Sequence, residues 1–181
     1  MIKKTIRRKK HLGFTLIEMM VTVSVAAILL SIAVPSFTTM IKNARISSAT
    51  NEFISSLILT RSEALKRNDN VSLCSSSDLL TCSQDIEFAN GWIVFQDCNR
   101  DGIIDAGANN ANCVNNGTEQ IIKVHEALNN LSVKANGGLS FISYRFTGRS
   151  TNTTISIGEK GKAASKRISI TRTGRLRTES L

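Results

Sequence analysis

From Phe14 to Ile41 the chain reads FTLIEMMVTVSVAAILLSIAVPSFTTMI, and Glu18 is the sole charged side chain in that stretch. A soluble core helix does not need so long an uncharged run, whereas a bilayer-spanning helix takes ~20 consecutive apolar residues. The run therefore predicts a membrane-crossing helix. Pro35 removes one backbone donor inside it, so a kink or a loosened turn is expected there. A carboxylate in hydrocarbon costs on the order of 2.5–3.5 kcal/mol on insertion scales. Glu18 consequently needs either a partner or hydration near the interface.

The flank before this run carries Lys3, Lys4, Arg7, Arg8, Lys9 and Lys10 and no acid, which holds it on the cytoplasmic side by the positive-inside rule. In a secretory signal the cleavage site follows the apolar region, so the apolar part leaves with the leader. Here the obvious cut, Gly13/Phe14, precedes the run, and the mature chain keeps it. Gly13 has no side chain to keep a protease off the backbone. A plain signal anchor is the competing reading. The stretch KKHLGFTLIE, Lys9 to Glu18, resembles the leader and processing site of type IV prepilins and pseudopilins. That resemblance implies that a prepilin peptidase cuts between Gly13 and Phe14 and methylates the new amine of Phe14. It also implies that Glu18 pairs with that amine on a neighbouring subunit during filament assembly. Expected partners are other pilins or pseudopilins, the peptidase, and inner-membrane lipid before assembly. No cofactor is expected.

Beyond the membrane run the helical pattern continues. Ile46, Ala49, Phe53, Leu57 and Ala64 recur at helical spacing, with Lys42, Arg45, Arg61, Glu63 and Lys66 left for the wet side. Asn68-Asp69-Asn70 ends it. Short runs follow at 71–74, 91–96, 120–125, 131–135, 140–146, 153–157 and 167–171, each bounded by Gly, Asn or Ser and read as strands. One long helix followed by several strands predicts an α+β fold, antiparallel sheet wrapped on the helix. The expected organisation is a leader at 1–13, a transmembrane or filament-core helix at 14–41, its amphipathic continuation at 42–68, and a periplasmic β-rich domain at 69–181. The order GFTLIE, GWIVFQDCNRDG, ISITRTGRLR resembles the FimT/GspH branch of minor pilins and pseudopilins, whose pilin-like fold it implies.

All four cysteines, Cys74, Cys82, Cys98 and Cys113, lie beyond the membrane run. With the basic flank inside, they face an oxidising compartment, where paired cysteines become disulfides. Three connectivities exist. The local pairs Cys74–Cys82 and Cys98–Cys113 are preferred because each staples a polar loop. Zinc is disfavoured, since no C-x-x-C pair is present and His11 and His125 are the two histidines available.

Charge divides the chain. Net charge is +9 overall, yet residues 14–133 carry seven basic and twelve acidic side chains, while 134–181 carry ten and two. A basic C-terminal end suggests an anionic partner. The best signal is Thr173-Gly174-Arg175-Leu176-Arg177. On an extended chain Arg175 and Arg177 share a side opposite Leu176, provided Gly174 does not break the alternation. Guanidinium forks match phosphate oxygens. In the FimT branch a Gly-Arg-x-Arg tail is associated with binding DNA in natural transformation, and Gly174, Arg175 and Arg177 match it. Arg172, Arg167, Lys166, Lys160 and Lys162 would widen the patch, and Arg149 follows a similar Thr-Gly-Arg. With few aromatics for stacking, any DNA contact should be electrostatic and salt-sensitive. The competing readings are a minor pseudopilin of a type II secretion system, meeting proteins rather than DNA, and a structural assembly initiator without ligand.

Asp97 to Asp105, DCNRDGIID, imitates the front half of an EF-hand loop, but the twelfth position is Ala108 rather than a carboxylate. A polar turn after a strand is the preferred reading, and no metal is expected. Ser75-Ser76-Ser77 has no nearby base or glycine elbow, His125 stands alone, and no phosphate-cradling glycine loop occurs. An enzyme is not expected.

Overall fold

The computed structural model describes residues 14–105, 113 and 118–181; the leader with Gly13, and Ala108, lie outside them. The chain forms two units, residues up to Asn43 and residues from Ala44 onward.

Helix α1 runs Leu16–Arg67. Its start is a reciprocal cap: the Thr15 N–H and hydroxyl both donate to Glu18 Oε2 at 2.8 Å, and the Glu18 N–H donates to Thr15 Oγ1 at 3.3 Å. A Thr followed three residues later by Glu is the capping-box pattern, satisfying helix N–H groups that lack an intrahelical partner. The helix continues through Pro35, whose carbonyl accepts the hydroxyls of Thr38 and Thr39. It ends where Asn68 takes a left-handed φ of 52° and the Asp69 N–H donates to the Ala64 carbonyl at 3.3 Å. That six-to-one bond is a Schellman stop with asparagine in the glycine role. In the first unit the large apolar side chains of α1 are exposed, and the helix is long and apolar enough to cross a membrane.

In the second unit the helix presents Ile46, Ala49, Phe53, Leu57 and Ala64 to two antiparallel sheets. Strands β1 (Val71–Ser75), β2 (Trp92–Gln96), β3 (Ile121–His125) and β5 (Phe141–Tyr144) form one sheet, in the order β3-β2-β1-β5. Strands β4 (Leu131–Ala135), β6 (Thr153–Glu159), β7 (Ala164–Ile170) and β8 (Leu176–Ser180) form the other, in the order β4-β6-β7-β8. Val71, Leu73, Val94, Ile142 and Tyr144 face Phe53 and Leu57 from the first sheet, and Val133, Ile155, Ile157, Ile168 and Ile170 join the same core from the second. Phe53 packs edge-on to Phe88 and Trp92, at 5.5 and 5.2 Å between centroids. The Trp92 indole N–H donates to Ser56 Oγ at 3.0 Å, so its polar end is satisfied inside the core.

Strands β1 and β2 of the first sheet are buried on both faces, whereas β3 at its edge is largely exposed. Cys74, Ile93 and Phe95 point away from α1 into a smaller cluster with Cys82, Ile104 and Phe141. Both local disulfides are present, Cys74–Cys82 and Cys98–Cys113. The second sheet alternates buried and exposed residues in β4, as expected where one face meets water.

Candidate nucleic-acid interface

The β7–β8 connection, Thr171 to Arg175, is a tight turn. The Gly174 N–H donates to the Thr171 carbonyl at 2.8 Å, and the Thr171 N–H donates to the Arg175 carbonyl at 3.1 Å. Gly174 is buried at φ 74°, and a Cβ there would stand 2.3 Å from the Gly148 carbonyl oxygen. Only glycine fits such an approach combined with a left-handed backbone. From α1, the Arg61 guanidinium donates to the carbonyls of Gly174 at 3.1 Å and Thr173 at 3.2 Å, tying the turn to the helix. The two Thr-Gly-Arg segments, 147–149 and 173–175, therefore lie side by side, with the Ser150 N–H donating to the Arg172 carbonyl at 3.1 Å.

The alternation begins at Leu176, because Gly174 and Arg175 still belong to the turn. Leu176 is half-buried against the core opposite Ile170, and Arg177 pairs with Ser169 on the outer face. Arg172, Arg175, Arg177 and Arg149 are all exposed. No carboxylate among the described residues forms an ion pair with any of them.

The remaining basic residues go elsewhere. Arg167 shares the outer face with Arg177 but sits mid-sheet, between Ser156 and Glu179. Lys166 lies on the core-facing side of β7, where its Nζ donates to Ser47 Oγ on α1 at 3.0 Å. Lys160 and Lys162 occupy the β6–β7 turn, and Lys162 pairs with Glu159. The length of β7 separates that turn from Gly174 by roughly 20 Å at the strand rise. Arg61 and Arg145 were not singled out as site residues by sequence. The readable hint for Arg145 is its place four residues before Arg149, across a glycine turn.

The Asp97–Asp105 loop directs several of its side-chain oxygens to its own backbone and side chains, while Asp97 Oδ1 is buried without a partner. Asp97 Oδ2 accepts the Ser72 hydroxyl and the Gly102 N–H, and Asn99 and Asp101 each cap the N–H two residues on. Glu119 accepts the N–H groups of Cys98 at 2.9 Å and Asp105 at 3.0 Å. Burial pushes the carboxyls of both Asp97 and Glu119 above the ordinary range. Asp69 groups with Cys98 and Cys113, but both sulfurs are committed to the disulfide and offer no thiolate.

His125 stacks on Trp92 at 3.8 Å between centroids, and its Nε2 lies 3.2 Å from Glu52. Ser75 and Ser76 hydroxyls serve the disulfide loop: Ser75 Oγ donates to the Ser83 carbonyl, and Ser76 Oγ donates to Asp78.

The family model for the type II transport protein GspH matches residues 49–174, and the prokaryotic N-terminal methylation motif matches 8–34. No curated protein matches the chain. The fold is similar to that of the type IV minor pilin FimU of Pseudomonas aeruginosa, at 19% identity and TM-score 0.56, covering 76% of this chain and 90% of that one. It is also similar to the minor pseudopilin EpsH from the type II secretion system of Vibrio cholerae, at 14% identity and TM-score 0.51, covering 77% and 98%. With its methylation motif, its long apolar helix and its antiparallel sheets, the chain belongs to the GspH family, in the FimT/GspH branch of type IV minor pilins and pseudopilins.

Proposed function

We propose that this chain is a non-enzymatic minor pilin that joins a type IV pilus and contacts the DNA backbone through its C-terminal arginines, in support of DNA uptake by natural transformation. A prepilin peptidase cuts at Gly13/Phe14 and methylates Phe14. The apolar part of α1 holds the subunit in the bacterial inner membrane, with the sheets in the periplasm, until Glu18 registers it against a neighbour's amine.

The observation that carries the DNA reading is the turn itself. Arg172 and Arg175 on a turn held to α1 by Arg61, and Arg177 on β8 just after it, stand exposed without an acid partner among the described residues. A fixed turn presents guanidiniums at low entropic expense, which favours phosphate contact over a solvated, disordered tail. With few phosphates neutralised per subunit, affinity of a single copy is low and rises when a filament presents several.

The test is a gel shift with the full-length chain in non-ionic detergent and a short duplex, comparing wild type with Arg175→Gln/Arg177→Gln. A shift that weakens with added salt and is lost in the double variant is expected. Absence of any salt-sensitive shift in wild type would discard DNA as the ligand.

A second reading is supported by the GspH match and by the likeness to EpsH: a minor pseudopilin of a type II secretion system, using the same helix and the same turn to meet protein. Loss of secretion without loss of transformation on deleting the gene favours that reading.

A further inference from the structure

Beside β5 lies a cleft of about 430 Å³ whose lining includes Arg100, Arg145, Arg149, Arg172 and Ser143. Three separate segments supply the guanidiniums: Arg100 the Asp97–Asp105 loop, Arg145 and Arg149 the turn after β5, and Arg172 the β7–β8 turn. All four are exposed, and no carboxylate among the described residues pairs with any of them. Four like charges converging on one hollow repel each other, and an anion relieves that repulsion.

A second observation points the same way. Ser143 is 4% exposed, and its Oγ has no hydrogen-bond partner. A buried hydroxyl left without a partner is uncommon and asks for an explanation. Ser143 is also a lining residue of the cleft, and a hydroxyl can donate to an anion's oxygen. The frame is preformed: the Arg145 N–H donates to the Arg149 carbonyl at 2.8 Å, and the Ser150 N–H to the Arg172 carbonyl at 3.1 Å. A single carboxylate occupies one guanidinium fork, whereas several forks with a hydroxyl suit a ligand rich in phosphate oxygens.

We propose that this cleft is a phosphate-binding site, distinct from the Gly174-Arg175-Leu176-Arg177 stretch, and that it holds the phosphodiester backbone of DNA. The DNA part rests on the function proposed above. Arg172 links the two places, lining the cleft while standing three residues before Arg175 on the same turn.

The experiment uses the full-length chain in non-ionic detergent, with two probes. Inorganic tripolyphosphate is titrated by calorimetry, and a short fluorescein-labelled duplex by polarisation across a salt series. The variants are Arg145→Gln/Arg149→Gln and Ser143→Ala, with Tm measured for each. Tripolyphosphate should bind wild type and lose about tenfold or more in affinity in the double variant, whose duplex binding should show a salt slope shallower by ~2. Ser143→Ala should weaken tripolyphosphate with Tm unchanged, since its hydroxyl has no bond to lose. That variant keeps the test valid if the double variant folds poorly. No tripolyphosphate binding in wild type, or equal binding in all three proteins, overturns the cleft. If duplex binding then survives and is lost only in Arg175→Gln/Arg177→Gln, DNA contact at the C-terminal turn stands without the cleft. Tripolyphosphate binding that the variants reduce, together with no duplex binding by wild type, keeps the phosphate site and removes its DNA occupant.

Discussion

Gly174 and Gly161 share the left-handed region of backbone, with φ of 74° and 81°, and differ in what stands behind them. A Cβ on Gly161 meets nothing within 4 Å, while one on Gly174 meets the Gly148 carbonyl oxygen at 2.3 Å. Gly161→Ala therefore carries the backbone strain alone, about 1–2 kcal/mol. Gly174→Ala adds a steric clash and should cost more than that, with the Thr171–Arg175 turn displaced. Denaturant melts of the two variants side by side check the difference. The motif named Gly174 as a site residue, but its reason, the neighbouring Gly148 in the turn after β5, lies 26 positions away in the chain and is invisible to a local reading.

The carboxyls divide by environment. Asp97 and Glu119 are pushed up chiefly by burial, whereas Asp78 and Glu63 are held down, Asp78 chiefly by the Thr81 and Leu80 N–H groups and Glu63 chiefly by Arg67. For a raised carboxyl the stability contribution is complete below the unfolded pKa and is lost as pH rises through the folded one. For a lowered carboxyl it is present above the unfolded pKa and is lost as pH falls through the folded value. Mild acidification should thus favour the Asp97–Asp105 loop, and stronger acid should release the Asp78 loop and the Glu63–Arg67 pair. A carboxyl-carbon NMR titration checks the order: Glu119 and Asp97 above the ordinary midpoints for their residue types, Asp78 and Glu63 below theirs.

At the level of elements, periodicity found α1 and its buried stripe, since Ile46, Ala49, Phe53, Leu57 and Ala64 are all in the core. The capping box is equally legible in Thr15-x-x-Glu18, beside the role between subunits that the resemblance implies for Glu18. Strands β1 and β2 read as apolar runs because both of their faces are covered, by α1 on one side and by the disulfide-bonded cluster on the other. Strand β8 was not among the predicted strands: LRTES holds one apolar residue, and its pairing with β7 makes it a strand. Terminal boundaries moved for a similar reason, β7 beginning at Ala164 through its register with Gly158. The Cys74–Cys82 bridge closes a short loop, eight residues apart in sequence, over the outer face of the first sheet. In the chain-entropy model its removal costs about 2–3 kcal/mol. Cys74→Ser/Cys82→Ser should lower the denaturation midpoint accordingly, and a reducing agent, which also opens Cys98–Cys113, should lower the wild-type midpoint by more than it lowers the variant's.

For the molecule as a whole, the question is what the subunit does in a filament, and Glu18 carries it. In the single chain Glu18 is occupied with Thr15, so two roles must be separated, capping the helix and offering charge to a neighbour. Glu18→Gln keeps an oxygen for the Thr15 bonds and removes the charge; Glu18→Ala removes both. If charge pairing drives assembly, both variants should stay in the membrane fraction and be missing from sheared filaments. Recovery of Glu18→Gln in filaments at the wild-type level would reduce the residue to a cap.

The sequence by itself determined the membrane-type helix, the amphipathic continuation and the α+β class, because each is written in residues close together in the chain. It preferred the local disulfides among three connectivities, and the structure decided for them and made a turn of Thr171 to Arg175. Only the tertiary structure decided which basic residues are neighbours. It turned Lys166 to α1, set Lys160 and Lys162 at the far end of the sheet, and gathered Arg100, Arg145, Arg149 and Arg172 around one cleft. The physical reason is sheet register and turn packing: antiparallel pairing brings distant segments to one edge, and no local pattern of charge encodes which edge that is.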